Sequence, residues 1–162
     1  MIVLVGFMGA GKTTVGRRLA AKLGRPFLDS DAVIEERAGR PIRDIFAGEG
    51  EPAFRELEHE TIADLLAGPD AVLALGGGAA GHPGTRDLLA SGAATVVYLR
   101  VSYDDVLARV GGDTGRPVLA RADVADVFTA RQAIYSAAAT FTVDTGGRSP
   151  EDITADILAR VR

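Results

Sequence analysis

Apolar residues in this chain fall into two alternating patterns. Short continuous runs occur at Ile2–Val5, Phe27–Leu28, Ala71–Leu75, Thr95–Leu99 and Phe141–Val143. Runs of that length without polar alternation are the mark of strands buried on both faces of a parallel sheet. Between them, apolar residues recur at three- and four-residue spacing, which predicts amphipathic helices. The inward stripes so predicted are Val15, Leu19 and Leu23; then Phe54, Leu57, Thr61 and Leu65; then Val127, Ile134 and Ala138 within a helix over 125–139; and finally Ile153, Ile157 and Val161. Shorter helical pieces are expected through Ile34, at Ile42–Phe46, after His82-Pro83 and at Tyr103–Val110.

The punctuation agrees with these boundaries. Gly24 closes the first helix and Pro26 forbids its continuation, Pro52 opens a long helix, and Ser149-Pro150-Glu151-Asp152 reads as an N-cap, a first-turn proline and a capping acid. Strand and helix alternate five times, which predicts an α/β fold: a three-layer, doubly wound, five-stranded parallel sheet. The chain, residues 1–162, reads as one domain with two insertions, near 31–66 and near 112–123, and without internal repeats.

Composition narrows the class without deciding it. The chain has 162 residues, 47% of them hydrophobic and 25% charged, with no apolar run near the roughly 20 residues a membrane span needs. The first strand begins at Ile2, leaving no room for a targeting segment, and a cytoplasmic protein is expected. Zero cysteines exclude disulfides, thiolate metal sites and cysteine nucleophiles. A net charge of −4 argues against a nucleic-acid partner, so an anionic ligand must be held by a local cluster of cations.

The strongest chemical signal follows the first strand. Gly6-Phe7-Met8-Gly9-Ala10-Gly11-Lys12-Thr13 fits G-x-x-x-x-G-K-[ST], between a strand and a helix, as a phosphate-binding P-loop requires. Its glycines let backbone N–H groups turn inward, and the helix N-terminus adds its unpaired donors and dipole. Lys12 supplies a charge for the β- and γ-phosphates and Thr13 a hydroxyl for Mg²⁺. A nucleoside triphosphate is the expected ligand.

Other residues acquire meaning beside that loop. Asp29-Ser30-Asp31 stands at a strand's C-terminal end, the edge where open parallel sheets bind ligands. Capping by Ser30 or Asp31 is the plainer account, but next to a P-loop a metal-and-base role is favoured. Arg55 and Glu58 lie three apart, which by spacing alone is a helix-surface pair worth a few tenths of a kcal/mol. Gly76-Gly77-Gly78 also ends a strand, pointing to close approach of a substrate. His59 reads as a solvated helix residue and His82 as a cap or surface residue. The segment Asp113-Thr114-Gly115-Arg116-Pro117 reads as a lid. A GTPase would need Asn-Lys-x-Asp, and the chain contains no asparagine. A small kinase that closes over its acceptor remains.

Together, Gly6–Thr14, Asp29-Ser30-Asp31, Phe54-Arg55-x-x-Glu58, Gly76-Gly77-Gly78, Arg116-Pro117, Arg131-x-x-x-Tyr135 and Asp144-Thr145…Arg148-Ser149-Pro150 resemble the shikimate kinases, of the nucleoside-monophosphate-kinase-like P-loop group. The resemblance spans essentially the whole chain. It implies ATP-dependent phosphorylation of the 3-hydroxyl of shikimate, with Mg²⁺ as cofactor, shikimate and ATP as partners, no nucleic-acid or membrane partner, and a monomer. A sister kinase acting on gluconate is the nearest alternative.

By the same resemblance, Gly9, Ala10, Gly11, Lys12, Thr13 and Thr14 cradle ATP phosphates, while Thr13 and Asp29 serve the metal. Asp31 binds the acceptor hydroxyl and takes its proton; Lys12, Asp31 and Arg116 form the catalytic set. Arg55 and Arg131 grip the carboxylate, helped by Gly76, Gly77 and Gly78, and Phe46 and Phe54 wall the ring. Arg109, Arg116, Arg148 and Pro150 complete the ATP side. The stretch from Arg116 to Arg131 is several residues shorter than is usual in the family, and Leu75 stands where a hydroxyl residue is often found.

Overall fold

The computed structural model describes residues 1–110 and 122–161. The lid expected near 112–123, with Arg116, lies largely outside them. The strands are β1 (Ile2–Val5), β2 (Phe27–Asp29), β3 (Val72–Ala74), β4 (Thr95–Arg100) and β5 (Phe141–Asp144). They form one parallel sheet in the order β2-β3-β1-β4-β5. Each parallel return needs a crossover, and the helices supply them: α1 (Lys12–Leu23), α2 (Ser30–Ala38), α3 (Ile42–Leu66), α4 (Pro83–Ala90), α5 (Tyr103–Val110), α6 (Val124–Ala138) and α7 (Pro150–Val161). Helices cover both sides of the sheet, α1 packing with α7, and α4 lying between α3 and α6. The expected doubly wound architecture is the one observed.

Sheet order explains why chemistry collects at one edge. From β1 the chain crosses through α1 past β3 to β2, returns to β3 and then passes β1 to β4 and β5, so the winding reverses beside β1. The loop after β1, the acids after β2 and the glycines after β3 therefore share the carboxyl edge beside that point. The core is the sheet itself: Val3, Leu4, Val72, Leu73, Val97 and Leu99 are fully buried. A smaller cluster of Ile34, Ile45 and Phe54 holds α2 against α3.

Several local expectations need correction. The cap of α2 is Asp29, whose carboxylate accepts from the N–H groups of Asp31 and Ala32; Ser30 and Asp31 are already helical. The segments 42–46 and 52–66 belong to one helical run with a break at Gly50, where φ 84° and ψ 169° take the chain out of helical geometry. On its second part, Glu58 and Ile62 are buried with Phe54 and Thr61, while Leu57 and Leu65 are only half-buried. On α6 the expected stripe of Val127, Ile134 and Ala138 packs part-buried against the core, and Phe128 and Tyr135 are the fully buried positions. The larger aromatics take the deep positions, Phe128 edge-on to Phe7 with ring centroids 5.1 Å apart. His59 is not a solvated residue: it stacks on His82, centroids 4.3 Å apart, with its Nδ1 3.1 Å from Thr85 Oγ1. His82 caps α4 as expected, accepting from Gly84 N–H.

Candidate active site

The P-loop takes the conformation its glycines permit. Gly6, Gly9 and Gly11 all have positive φ, and Gly11 is the residue before α1. A Cβ on Gly6 would stand 2.6 Å from the carbonyl oxygen of Leu99, so β4 itself excludes a side chain there. Lys12 Nζ donates to Gly6 O at 2.7 Å and Phe7 O at 3.1 Å, holding the ammonium at the mouth of the loop. Arg109, from α5, donates to Gly9 O at 2.8 Å and reaches Thr145 O at 3.4 Å. Arg148 N–H donates to the same Thr145 carbonyl at 3.3 Å. Thus Arg109 and the backbone of Arg148 meet at the Thr145 carbonyl, and Arg109 ties that turn to the P-loop. The Arg148 guanidinium is held by Asp156, 3.0 Å away.

Asp29 uses its two carboxylate oxygens separately. Oδ1 caps α2, and Oδ2 accepts from Thr13 Oγ1 at 3.4 Å. Capping locks the rotamer, so the second oxygen is aimed at the P-loop threonine. Among the described residues, no group of three or more His, Asp or Glu side chains is arranged to enclose a metal. Two convergent oxygens at a phosphate cradle instead suit Mg²⁺, which keeps several waters and shares its shell with phosphates.

The acceptor side is a cavity of about 850 Å³ running from Lys12 and Thr13 past Asp31 to Arg55, Glu58, the three glycines and Arg131. The glycine run is bare because the site's own side chains lie on it. A Cβ on Gly76 would be 2.6 Å from Asp31 Oδ1 and 2.7 Å from Glu58 Oε1, and one on Gly78 would be 2.4 Å from the Arg55 guanidinium. Among the protein's own groups, Asp31, Glu58 and Arg55 make the close approach to the glycine run. Ser30, fully buried, accepts from Gly76 N–H at 3.0 Å and ties the β2 edge to the β3 edge.

Arg55 is not a surface residue paired for marginal gain. It donates to Glu58 at 2.8 Å, and Glu58 is 1% exposed. Its guanidinium also lies over the rings of Phe46 and Phe54, 5.8 and 5.2 Å from their centroids. Arg131, on α6, sits over Phe7 at 5.7 Å and faces Gly77. The two arginines thus stand against adjacent glycines, Arg131 at Gly77 and Arg55 at Gly78, in the cavity that Lys12 also lines. Glu58 and Ser30 were missed as site residues. Both stand on motifs already singled out, but burial, the deciding property, is not visible in residue spacing.

Burial in this cleft pushes the Asp31 carboxyl up to about 6, reinforced by Glu58 and Asp29 against the pull of Lys12 and Arg55. Burial likewise raises Glu58, opposed chiefly by Arg55. In the metal-free protein, Asp31 is therefore expected to titrate near pH 6 by carboxyl ¹³C NMR. Glu58→Gln removes a negative neighbour and is expected to lower that midpoint without restoring the ordinary carboxylate value, because desolvation is the larger cause. An unmoved midpoint would separate the two carboxylates.

A parallel sheet in this order, with a P-loop after β1 and an acid-and-arginine pocket beside it, defines a P-loop phosphotransferase of the nucleoside-monophosphate-kinase-like class. A family model described as shikimate kinase matches residues 8–162. The chain is 48% identical to the shikimate kinase of Mycobacterium avium (strain 104) over 163 residues, covering 98% of this chain and 92% of that one. A solved structure, the shikimate kinase from Acinetobacter baumannii in complex with shikimate, superposes with a TM-score of 0.93 at 40% identity, covering 99% and 91% of the two chains. A gluconokinase from Sinorhizobium meliloti 1021 superposes at 0.61 with 23% identity over 98% and 89%, a likeness of fold alone. This chain belongs to the shikimate kinase family.

Proposed function

We infer that this protein transfers the γ-phosphoryl group of ATP to the 3-hydroxyl of shikimate, giving shikimate 3-phosphate and ADP. The observation that carries this reading is a single cavity lined by Lys12 and Thr13, by Arg55 and Arg131, and by an Asp31 carboxylate that feels both Lys12 and Arg55. Family membership and a shikimate-bound structural relative support the same acceptor.

The chemistry follows from the charges. The backbone N–H groups of Gly9–Thr14 and the Lys12 ammonium receive the phosphates. The planar carboxylate of the acceptor suits two guanidinium groups better than ammonium groups, and Arg55 and Arg131 present them on one wall, with Phe46 and Phe54 against the ring. That places the 3-hydroxyl toward Asp31. Asp31 accepts the hydroxyl proton as the oxygen attacks the γ-phosphorus, and the bond to the ADP oxygen breaks. A base titrating near 6 is ionised at neutral pH yet still basic enough to take a proton in the transition state. Thr13 and Asp29 would hold Mg²⁺, which when bound neutralises phosphate charge. Arg116 is proposed to complete that neutralisation from the lid, and Arg109, Arg148 and Pro150 to border the adenine. The chain works as one kinase domain, with residues 31–66 serving the acceptor and residues near 112–123 the lid, and as a monomer.

The decisive experiment is ADP release by pure protein with MgATP and either shikimate or gluconate. Shikimate-dependent release is expected; preference for gluconate would overturn the assignment of the acceptor. Asp29→Asn keeps a capping oxygen but loses the charge, so the Mg²⁺ concentration for half-maximal rate is expected to rise about tenfold. An unchanged Mg²⁺ titration would leave Asp29 as a cap only.

A further inference from the structure

We propose that the Tyr135 hydroxyl is a positioning group that ties the two halves of the acceptor carboxylate clamp, Arg131 and the Gly77–Gly78 peptide, into one unit. The proposal rests on the function just inferred and gives that site a further determinant.

Tyr135 lies one helical turn after Arg131 on α6, so both side chains leave the same face of the helix. Its side chain is 1% exposed and packs beside Tyr98, ring centroids 5.3 Å apart. Shape alone would be satisfied by phenylalanine. A buried hydroxyl is costly unless bonded, and this one is bonded to a backbone carbonyl. It donates to Gly77 O and stands beside the Arg131 guanidinium, whose charge it feels. Both neighbours belong to the acceptor wall. A Cβ on Gly77 would lie 3.4 Å from Arg131 Nη1 and 3.6 Å from the Tyr135 hydroxyl, so the three groups converge at one point.

The peptide plane extends the effect. In a trans peptide the carbonyl of Gly77 and the N–H of Gly78 point in opposite directions. A second, smaller cavity is lined by Tyr135 and shares Arg55, Gly77, Gly78 and Arg131 with the main one. Holding the carbonyl toward Tyr135 therefore fixes the Gly78 N–H on the opposite side of the peptide, away from the phenol. Glycines resist this orientation least, and for the same reason do not keep it unaided. The phenol supplies what the glycines lack.

The test compares Tyr135→Phe with Tyr98→Phe, which deletes a neighbouring hydroxyl outside the site. Wild-type turnover with shikimate first checks the acceptor assignment itself. Tyr135→Phe is expected to raise KM for shikimate about five- to tenfold, the loss of one neutral hydrogen bond, with kcat and KM for ATP within about twofold. Tyr98→Phe is expected to change none of these. A lowered Tm with unchanged KM, an unfolded Tyr135→Phe, or equal KM effects in both variants would overturn the proposal. A second readout needs no acceptor: in ¹⁵N-glycine spectra of the ligand-free protein, the Gly77 and Gly78 amides should shift in Tyr135→Phe, and should move less in Tyr98→Phe. If shikimate supports no turnover, the acceptor reading falls and these amides decide the role of Tyr135; unmoved amides overturn it.

Discussion

Asp31→Asn is expected to lower kcat by about 10²–10⁴-fold, the range a positioned general base contributes, while the KM for ATP stays within a factor of two. The amide keeps the shape and a hydrogen-bonding oxygen but cannot take the proton. The same change is expected to make the protein more stable at neutral pH. Folding raises the Asp31 carboxyl from 3.8 to about 6, so between those values the native state holds more protons than the unfolded chain. Stability then falls as pH rises through this window, and above it the ionised carboxylate works against the fold by as much as about 3 kcal/mol. Asparagine removes that opposition. Steady-state kinetics and thermal melts at pH 5 and pH 8 check both halves: Tm of the variant should exceed wild type at pH 8, with the gap closing at pH 5. An unchanged kcat would remove Asp31 from the chemistry, and an unchanged Tm difference would mean that its environment is wetter than the cavity implies.

Arg55→Ala is expected to raise KM for shikimate roughly 30- to 100-fold, consistent with losing a charge-assisted contact. The KM for ATP should change little, since among the described residues the contacts of Arg55 are with Glu58, Glu51, Phe46 and Phe54 and not with the P-loop. A stability loss must accompany it, because Glu58 is buried and Arg55 is its 2.8 Å partner. An uncompensated buried carboxylate costs about 3–5 kcal/mol when ionised. Glu58 already has a raised pKa, so in the variant it escapes part of that cost by taking a proton. The Tm deficit should therefore be smaller at pH 6 than at pH 8. Melting curves at the two pH values, with acceptor titrations at each, separate the roles. A pH-independent Tm deficit with wild-type KM would return Arg55 to an ordinary structural pair.

Much of this was legible before the structure. The five strands and the P-loop announce themselves because a buried parallel strand is a local run of apolar residues, and because G-x-x-x-x-G-K-T encodes a specific backbone path. The edge shared by Gly6–Thr13, Asp29–Asp31 and Gly76–Gly78 follows from parallel winding alone. What stayed hidden was decided by packing between distant segments. Glu58 reads as a surface partner of Arg55 until the glycine run closes over both. Tyr135 reads as one turn of an amphipathic helix, yet its hydroxyl meets a carbonyl 58 residues away. On α6 aliphatic periodicity marks the residues that pack part-buried on the core, but not Phe128 and Tyr135, whose larger rings take the deepest positions. His59 was misplaced for a similar reason: its partner stands on another helix.

That histidine pair has a practical side. The chain contains two histidines, and they lie face to face where α3, bearing Phe54, Arg55 and Glu58, meets the start of α4. Each imidazole sits in the ring current of the other, so their C–H proton resonances act as a built-in ruler for the gap between these helices. Two well-separated signals in an otherwise crowded spectrum would register any movement of the acceptor wall during an ordinary titration, with no label attached to the protein.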